Sequence, residues 1–304
     1  MKEALKQAET ELKTLLGEDG LKADEPMKKH TTFRTGGPAD LFLTVRTEQE
    51  LTETLKILKK YEVPFLIEGN GSNLLVRDKG IRGAVVKLDS KNISLNGTEI
   101  ETEGGVLLSA VSRKAAEAGL TGMEFASGIP GSIGGAVVMT AGAYGGEMKD
   151  ILVSVTVLTK DMEVLTLSPE ALELSYRHSN VPEKGYIVLG AKLRLERGDK
   201  TEIEEKIKKL SEERREKQPV QYPNAGSTFK RPEGYFAAKL VQDAGLKGKR
   251  IGGAEVSSKH AGFVVNIENA ASADILALIE LCQKTVFEQF GVMLEPEVKI
   301  VGEE

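Results

Sequence analysis

The stretch NAGSTFKRP, residues 224 to 232, sets Ser227 between Gly226 and Thr228 and just ahead of Lys230 and Arg231. A serine so placed can act as a nucleophile, or it can do no more than bond its own backbone in a turn. Nucleophilic use calls for a base and usually for a strained G-x-S-x-G elbow. Position 225 is Ala, no second glycine follows, and no such elbow occurs in the chain. The turn reading therefore leads at this point. His30, His178 and His260 lie far apart without ligand spacing, and there is no H-E-x-x-H or C-x-x-C, so no metal site is expected. His178 follows Arg177 in SYRHSN and reads as solvated or bonded to backbone. Glu297, in EPEVKIVG, reads as a surface carboxylate where the chain enters its last strand. The single cysteine, Cys282, rules out an internal disulfide, and its helical apolar surroundings make it a buried structural thiol.

Two glycine loops could hold a ligand. EGNGSNLL, 68 to 75, follows a strand; Gly69 and Gly71 allow successive N–H groups to form one concavity, and Asn70, Ser72 and Asn73 add donors suited to a phosphate. It is not a dinucleotide fingerprint, because Leu74 stands where the third glycine would fall, and no Walker A pattern occurs. An ordinary tight turn is the competing reading. The second loop, FASGIPGSIGGAVVMTAGAYGG, has glycine at 128, 131, 134, 135, 142, 145 and 146. So much glycine is costly in chain entropy and implies close backbone approach, either to a cofactor or to a packed neighbour. Two such loops on one sheet system favour a bulky diphosphate ligand without saying which.

The chain carries 41 Lys and Arg against 46 Asp and Glu, a net charge of −5, which argues against a general nucleic-acid binder or a membrane-surface protein. From Lys230 to Lys259, however, seven basic residues face three acids. That segment suits an anionic small molecule, or else it is a solvated basic face.

The elements that must position these residues are legible in outline. Leu5, Ala8, Leu12 and Leu15 form one stripe of an N-terminal amphipathic helix stopped by Gly17, which is neither a signal peptide nor a membrane span. A cytoplasmic protein is expected. ADLFLTVR is a strand, Thr47 and Glu50 open a helix to about Lys60 as a capping box, and VPFLIE is the next strand. The β-α-β unit is expected to continue through NLLV and GAVVKL. Asn96-Gly97 then marks a hairpin, and pairing becomes antiparallel. A helix at about 107 to 118 precedes the second glycine loop, and ILVSVTVLT, EVLTLS and GYIVLGAKLRLE read as three strands. The charged helix TEIEEKIKKLSEERREKQ is taken as the hinge into a last domain. That domain has a helix at about 235 to 244, strands near GGAEVS and GFVVN, a helix at 272 to 290 and a terminal strand VKIVG. The fold class is α+β, not a doubly wound sheet. The expected domains are an N-terminal helix, 1–27; a first subdomain, 28–90; a second, 91–200; and a C-terminal domain, 201–304.

HTTFRTGGPADLFL, EGNGSNLLV, SGIPGSIGGAVVMTAGAYG, YRHSN, NAGSTFKRP, LKGKRIGGAEVSSKHAGFVVN and EPEVKIVG, in this order, closely resemble the UDP-N-acetylenolpyruvoylglucosamine reductases of peptidoglycan synthesis over about residues 28 to 303. The resemblance implies a two-subdomain FAD-binding module of the p-cresol methylhydroxylase type, followed by a reductase C-terminal domain. It implies noncovalent FAD, NADPH as reductant, UDP-N-acetylglucosamine-enolpyruvate as substrate, and roles in cell wall biogenesis, cell shape and cell division. By the family pattern Ser227 is the proton donor, Arg177 stabilises the substrate carboxylate and Glu297 completes the set. A serine used as a general acid needs no histidine base. Gly69, Asn70, Gly71, Ser72 and Asn73 match the flavin pyrophosphate loop. Pro130, Ser132, Gly135, Gly142 and Gly145, with Ile187 and Val188, match positions along the flavin. Tyr144, Lys217, Asn224, Lys230 and Arg231 match substrate positions. Arg231 departs from one branch, which has Asn there. The short run from GSTFKRPEGYF to AAKLVQDAG leaves no room for the extra tyrosine-bearing loop, so the chain resembles the compact type. The rival readings are another flavin oxidoreductase of the superfamily and a UDP-sugar-binding module without turnover.

Overall fold

The structure, a computed structural model, describes residues 2–304. It resolves into two compact bodies. One gathers the residues up to Lys22, Leu41–Asn70 and Gly83–Glu213; the other gathers Ala23–Asp40, Gly71–Arg82 and Arg214–Glu304.

The first body has two cores. In one, the helices Lys2–Leu16 and Glu48–Lys60 bury Ala8, Leu12, Leu51, Leu55 and Leu58 against Leu43, Val45, Ala84 and Val86. The period of 3.6 puts those helical residues on one stripe, and the period of two puts the strand residues on one face. The sheet order is Leu21–Pro26, Pro38–Val45, Ile81–Leu88, Phe65–Glu68, with the last two strands parallel. Thr47 caps the second helix, accepting from the Glu50 amide at 3.0 Å. The other core lies under a five-stranded antiparallel sheet ordered Val164–Leu167, Leu152–Leu158, Ile187–Arg194, Glu99–Glu103, Ile93–Asn96. Helices Leu108–Glu117 and Ile133–Val138 add apolar residues to it, joined by Phe125, Met148, Ile151 and Leu172 from the connecting segments.

In the second body, helix Ser272–Phe290 packs on an antiparallel sheet of Arg250–Ile251, Ala254–Val256 and Val264–Asn266. Leu278, Ile279, Cys282 and Val286 meet Val256, Val264 and Leu240 in the core. Cys282 is fully buried, and burial pushes its thiol up to about 12. Mixed parallel and antiparallel pairing with helices on single faces confirms the α+β class.

Two expectations are corrected. NLLV does not extend the first sheet: Leu74–Val76 pairs in parallel with Lys299–Val301, each residue from Leu74 to Val76 facing one of the terminal strand. The hairpin turn falls on Gly97 and Thr98, because Asn96 pairs with Glu99; Gly97, at φ +63°, supplies the left-handed residue one position later than the Asn-Gly signal implied.

Candidate active site

In the first body, strand Phe65–Glu68 runs directly into the first glycine loop. A Cβ at Gly69 would lie 2.2 Å from Ser132 Oγ, so the two glycine loops abut here and any larger residue would force the Ser132 hydroxyl to move. Asn70 Nδ2 donates to the Pro130 carbonyl at 2.5 Å and ties them a second time. Ser132 caps helix Ile133–Val138, its hydroxyl accepting from the Gly135 amide at 3.5 Å. Gly69, Asn70, Pro130, Ser132 and Gly135 are thus brought together from segments some sixty residues apart. Close packing explains other glycines of the long loop: a Cβ on Gly146 would sit 2.6 Å from the Phe125 ring, and one on Gly142 would sit 2.7 Å from Glu147 Cγ. Gly145, by contrast, has open space around its missing Cβ. The side chains of Ile187 and Val188 are committed to the two cores, and both residues pair with the strand Leu152–Leu158.

Arg177 sits at a tight turn closed by hydrogen bonds between Ser175 and His178 in both directions. Its φ is +55°, and Thr140 and Tyr144 are left-handed too, at +40° and +52°. Non-glycine residues hold this conformation only where the surroundings enforce it, and such strain collects at functional sites. The enforcing contacts are visible. Thr140 Oγ1 donates to the His178 carbonyl at 2.7 Å, and the Arg177 guanidinium donates to the carbonyls of Gly142 at 3.1 Å and Thr140 at 3.5 Å. Arg177 also lies over the Tyr176 ring, 5.1 Å from its centre. The turn carrying Arg177 is therefore locked to the loop carrying Tyr144. Thr140 carried no signal in the sequence beyond its place in the glycine-rich segment.

The second body holds Ser227 and Glu297. The Thr228 amide donates to the Gly262 carbonyl at 2.8 Å, and Thr228 Oγ1 accepts from the Val264 amide at 2.9 Å. On the other side the Glu297 amide donates to the Thr228 carbonyl at 2.8 Å, the Lys230 amide donates to Glu295, and Phe229 bridges Pro296. Ser227 is exposed while Thr228 and Phe229 are buried, so the segment presents the hydroxyl outward from a clamped backbone. Glu297 is half-buried on the adjoining segment, and Asn73 Nδ2 donates to its carbonyl at 3.0 Å. Gly71, whose carbonyl accepts from the Thr32 amide, and half-buried Ser72 belong with this body, so the first glycine loop divides after Asn70. Asn224 also braces its own turn: it accepts from the Gly226 amide at 2.9 Å and donates to the Tyr222 carbonyl at 2.8 Å.

The basic segment is partly neutralised. Lys230 pairs with Glu295 at 2.5 Å, Lys239 with Asp243 at 2.8 Å and Arg250 with Glu255 at 2.7 Å. The Arg231 guanidinium stacks over Phe236, 4.7 Å from its centre, and Lys217 ends the helix Lys200–Lys217. His260 is a packing residue: it meets Phe263 edge to face, its Nδ1 accepts from the Gly262 amide, and burial lowers its pKa. No helix among the described residues is long and apolar enough to cross a membrane.

Comparison with known proteins gives these features a context. Residues 218–301 match the C-terminal domain model of UDP-N-acetylenolpyruvoylglucosamine reductase, and residues 39–168 match an FAD binding domain. The UDP-N-acetylenolpyruvoylglucosamine reductase of Agathobacter rectalis is 55% identical over 298 residues, covering 93% of this chain and 95% of its own. That of Caldanaerobacter subterraneus subsp. tengcongensis is 54% identical over 293 residues, with 96% and 97% covered. The crystal structure of the Thermus caldophilus reductase (MurB) superposes with a TM-score of 0.79 at 37% identity, over 90% of this chain and 97% of that one. By these matches the chain belongs to the UDP-N-acetylenolpyruvoylglucosamine reductase family, oxidoreductases built on an FAD binding domain.

Proposed function

We propose that this protein reduces the enolpyruvyl ether of UDP-N-acetylglucosamine-enolpyruvate to UDP-N-acetylmuramate, drawing its electrons from NADPH, in the cytoplasmic synthesis of peptidoglycan precursors. The observation that carries this reading is the Ser227 hydroxyl, exposed on a backbone fixed on both sides by Thr228.

The residues fit an FAD. The two glycine loops meet with Gly69 packed against Ser132, and the Asn70 side chain donates to the Pro130 carbonyl to brace the junction. Gly71, Ser72, Asn73, Gly135, Gly142, Gly145, Ile187 and Val188 extend the same assignment. When bound, the flavin supplies the hydride that ends on the methylene carbon of the enolpyruvyl group. The carbon next to the carboxylate then requires a proton, and the carboxylate requires stabilisation while charge develops on it. Ser227 gives the proton from its hydroxyl. Arg177 holds the carboxylate, its guanidinium preset by the Gly142 carbonyl so that little reorganisation is needed. Glu297, whose amide donates to the Thr228 carbonyl, acts with Ser227 on the same carbon. Tyr144, Lys217, Asn224, Lys230 and Arg231 take the UDP-sugar, and Lys230 exchanges Glu295 for phosphate in doing so.

The test is stopped-flow kinetics on wild type, Ser227→Ala and Ser227→Cys. The alanine variant is expected to bind FAD and be reduced by NADPH normally, yet to be reoxidised by the enolpyruvyl substrate about a hundred to ten thousand times more slowly. Cysteine, which can also release a proton, should recover part of the rate. Reoxidation of the alanine variant at the wild-type rate would return Ser227 to the status of a turn residue.

A further inference from the structure

Strand Phe65–Glu68 ends in a carboxyl group that the mechanism leaves unused. The parallel register pairs Ile67 with Val86 and Glu68 with Lys87. Ile67 and Val86 pack into the helix-covered core, so by alternation Leu66, Glu68, Val85 and Lys87 share the opposite face of the sheet. On that face Glu68 is 2% exposed, and neither of its carboxyl oxygens has a hydrogen-bond partner among the described residues. Lys87 on the paired strand is the charged group that acts on it, but the two form no ion pair among the described residues. Burial dominates and pushes the Glu68 carboxyl up to about 8, against the opposing pull of Lys87. A buried carboxyl without a protein partner carries a desolvation penalty that natural structures relieve with a ligand or a network. The next residue is Gly69, held against Ser132, and the one after it is Asn70, tied to Pro130, so Glu68 is the residue from which the chain enters the junction of the two glycine loops.

We propose that Glu68 is a cofactor-contacting residue, its carboxyl O–H donating to an acceptor oxygen of the anionic dinucleotide seated in the loop that follows it. The inference rests on the FAD assignment above. It makes cofactor affinity depend on proton uptake. With an anion beside it, Glu68 holds its proton more tightly in the complex than in the apoprotein. The contribution to binding is therefore complete below the apoprotein value of about 8 and is lost as pH rises through it. Above that pH an ionised Glu68 repels the diphosphate, and binding must first restore its proton.

The experiment is equilibrium binding of FAD to apoprotein, read by flavin fluorescence at constant ionic strength from about pH 6.5 to about pH 9. Wild type is expected to bind with constant affinity below about pH 7 and to lose up to about tenfold per pH unit above about pH 8. Glu68→Gln, which donates at every pH, should bind within a few-fold of the neutral-pH wild type and show a flat profile. Glu68→Leu, checked for folding by circular dichroism, should bind FAD at least about tenfold more weakly at neutral pH. Parallel pH profiles for wild type and Glu68→Gln, or a leucine variant binding as tightly as wild type, would overturn the proposal while leaving the FAD site intact. Failure of folded wild type to bind FAD at any pH would overturn the FAD assignment itself, and the proposal with it.

Discussion

Single residues show how little of a site's mechanics a sequence states outright. Ser227 drew attention because it had no base, yet its usefulness depends on its neighbour. Thr228 is buried, its amide and carbonyl are both paired, and its hydroxyl takes the Val264 amide. Thr228→Val keeps the shape but strands a buried N–H, which should cost about 1–3 kcal/mol in denaturant unfolding. It should also slow substrate reduction while NADPH still reduces the flavin; an unchanged stability and rate would show that the segment is held by its backbone alone. No local pattern announced this role, since a threonine after a serine reads as one more polar turn residue. Glu68 was hidden for a similar reason. A glutamate at a strand end reads as solvated, and only the register with Lys87 on the one neighbouring strand and the burial of Glu68 itself reveal otherwise. Arg177 was legible as a residue type but not as a strained one, because positive φ is imposed by Thr140 and Gly142 from a distant loop.

At the level of elements, whatever depends on near neighbours was readable. The N-cap at Thr47, the antiparallel hairpin and the helix Ser272–Phe290 all follow from periodicity and local turn chemistry, although the Glu50 carboxylate accepts from the Arg46 amide where a full capping box would take that of Thr47. Partners far along the chain were not. The short apolar run NLLV carries no information about which strand it will meet, so continuation of the nearest sheet was the natural and mistaken inference. The start of the longest helix depends on a similar distant contact. Asp78 accepts from the amides of Ser272 and Ala273 at 2.8 and 2.9 Å, while Ser272 Oγ donates to the Val76 carbonyl. A side chain from a distant loop thus does the work of an N-cap. Asp78→Ala should destabilise the protein by about 1–2 kcal/mol, the usual worth of a helix cap, and Asp78→Asn by less, since it retains one acceptor oxygen. Hydrogen exchange in the first turn of Ser272–Phe290 is the discriminating measurement: protection unchanged by Asp78→Ala would mean that the helix caps itself through Asp274, which accepts from the Ala271 amide.

For the whole molecule, the buried carboxyl sets a pH dependence opposite to that of ordinary paired acids. Burial holds Glu68 protonated in the native apoprotein up to about 8, whereas the unfolded chain releases that proton near 4.5. The native state therefore binds the extra proton between those values, and stability falls as pH rises through the interval. The loss is on the order of 5 kcal/mol at most. Denaturant midpoints of apoprotein at about pH 5 and about pH 8.5 should show wild type weakening more than Glu68→Gln. Equal slopes would place the carboxyl in contact with solvent. Saturating FAD at about a hundred times its Kd should add about 2.7 kcal/mol below pH 8.

The parallel pairing of Leu74–Val76 with Lys299–Val301 also sets a timetable for biosynthesis. Everything the first body needs has left the ribosome soon after Glu213, but the second body draws on Ala23–Asp40 and Gly71–Arg82 as well as on Arg214–Glu304. Its early strand, with Leu75 and Val76 destined for full burial, must wait for a partner made last. At ordinary translation speeds of about 5–20 residues per second, that wait lasts roughly ten to forty-five seconds. During it the nascent chain carries an apolar strand with open edges, which makes this enzyme a customer for ribosome-associated chaperones in proportion to the slowness of its own translation.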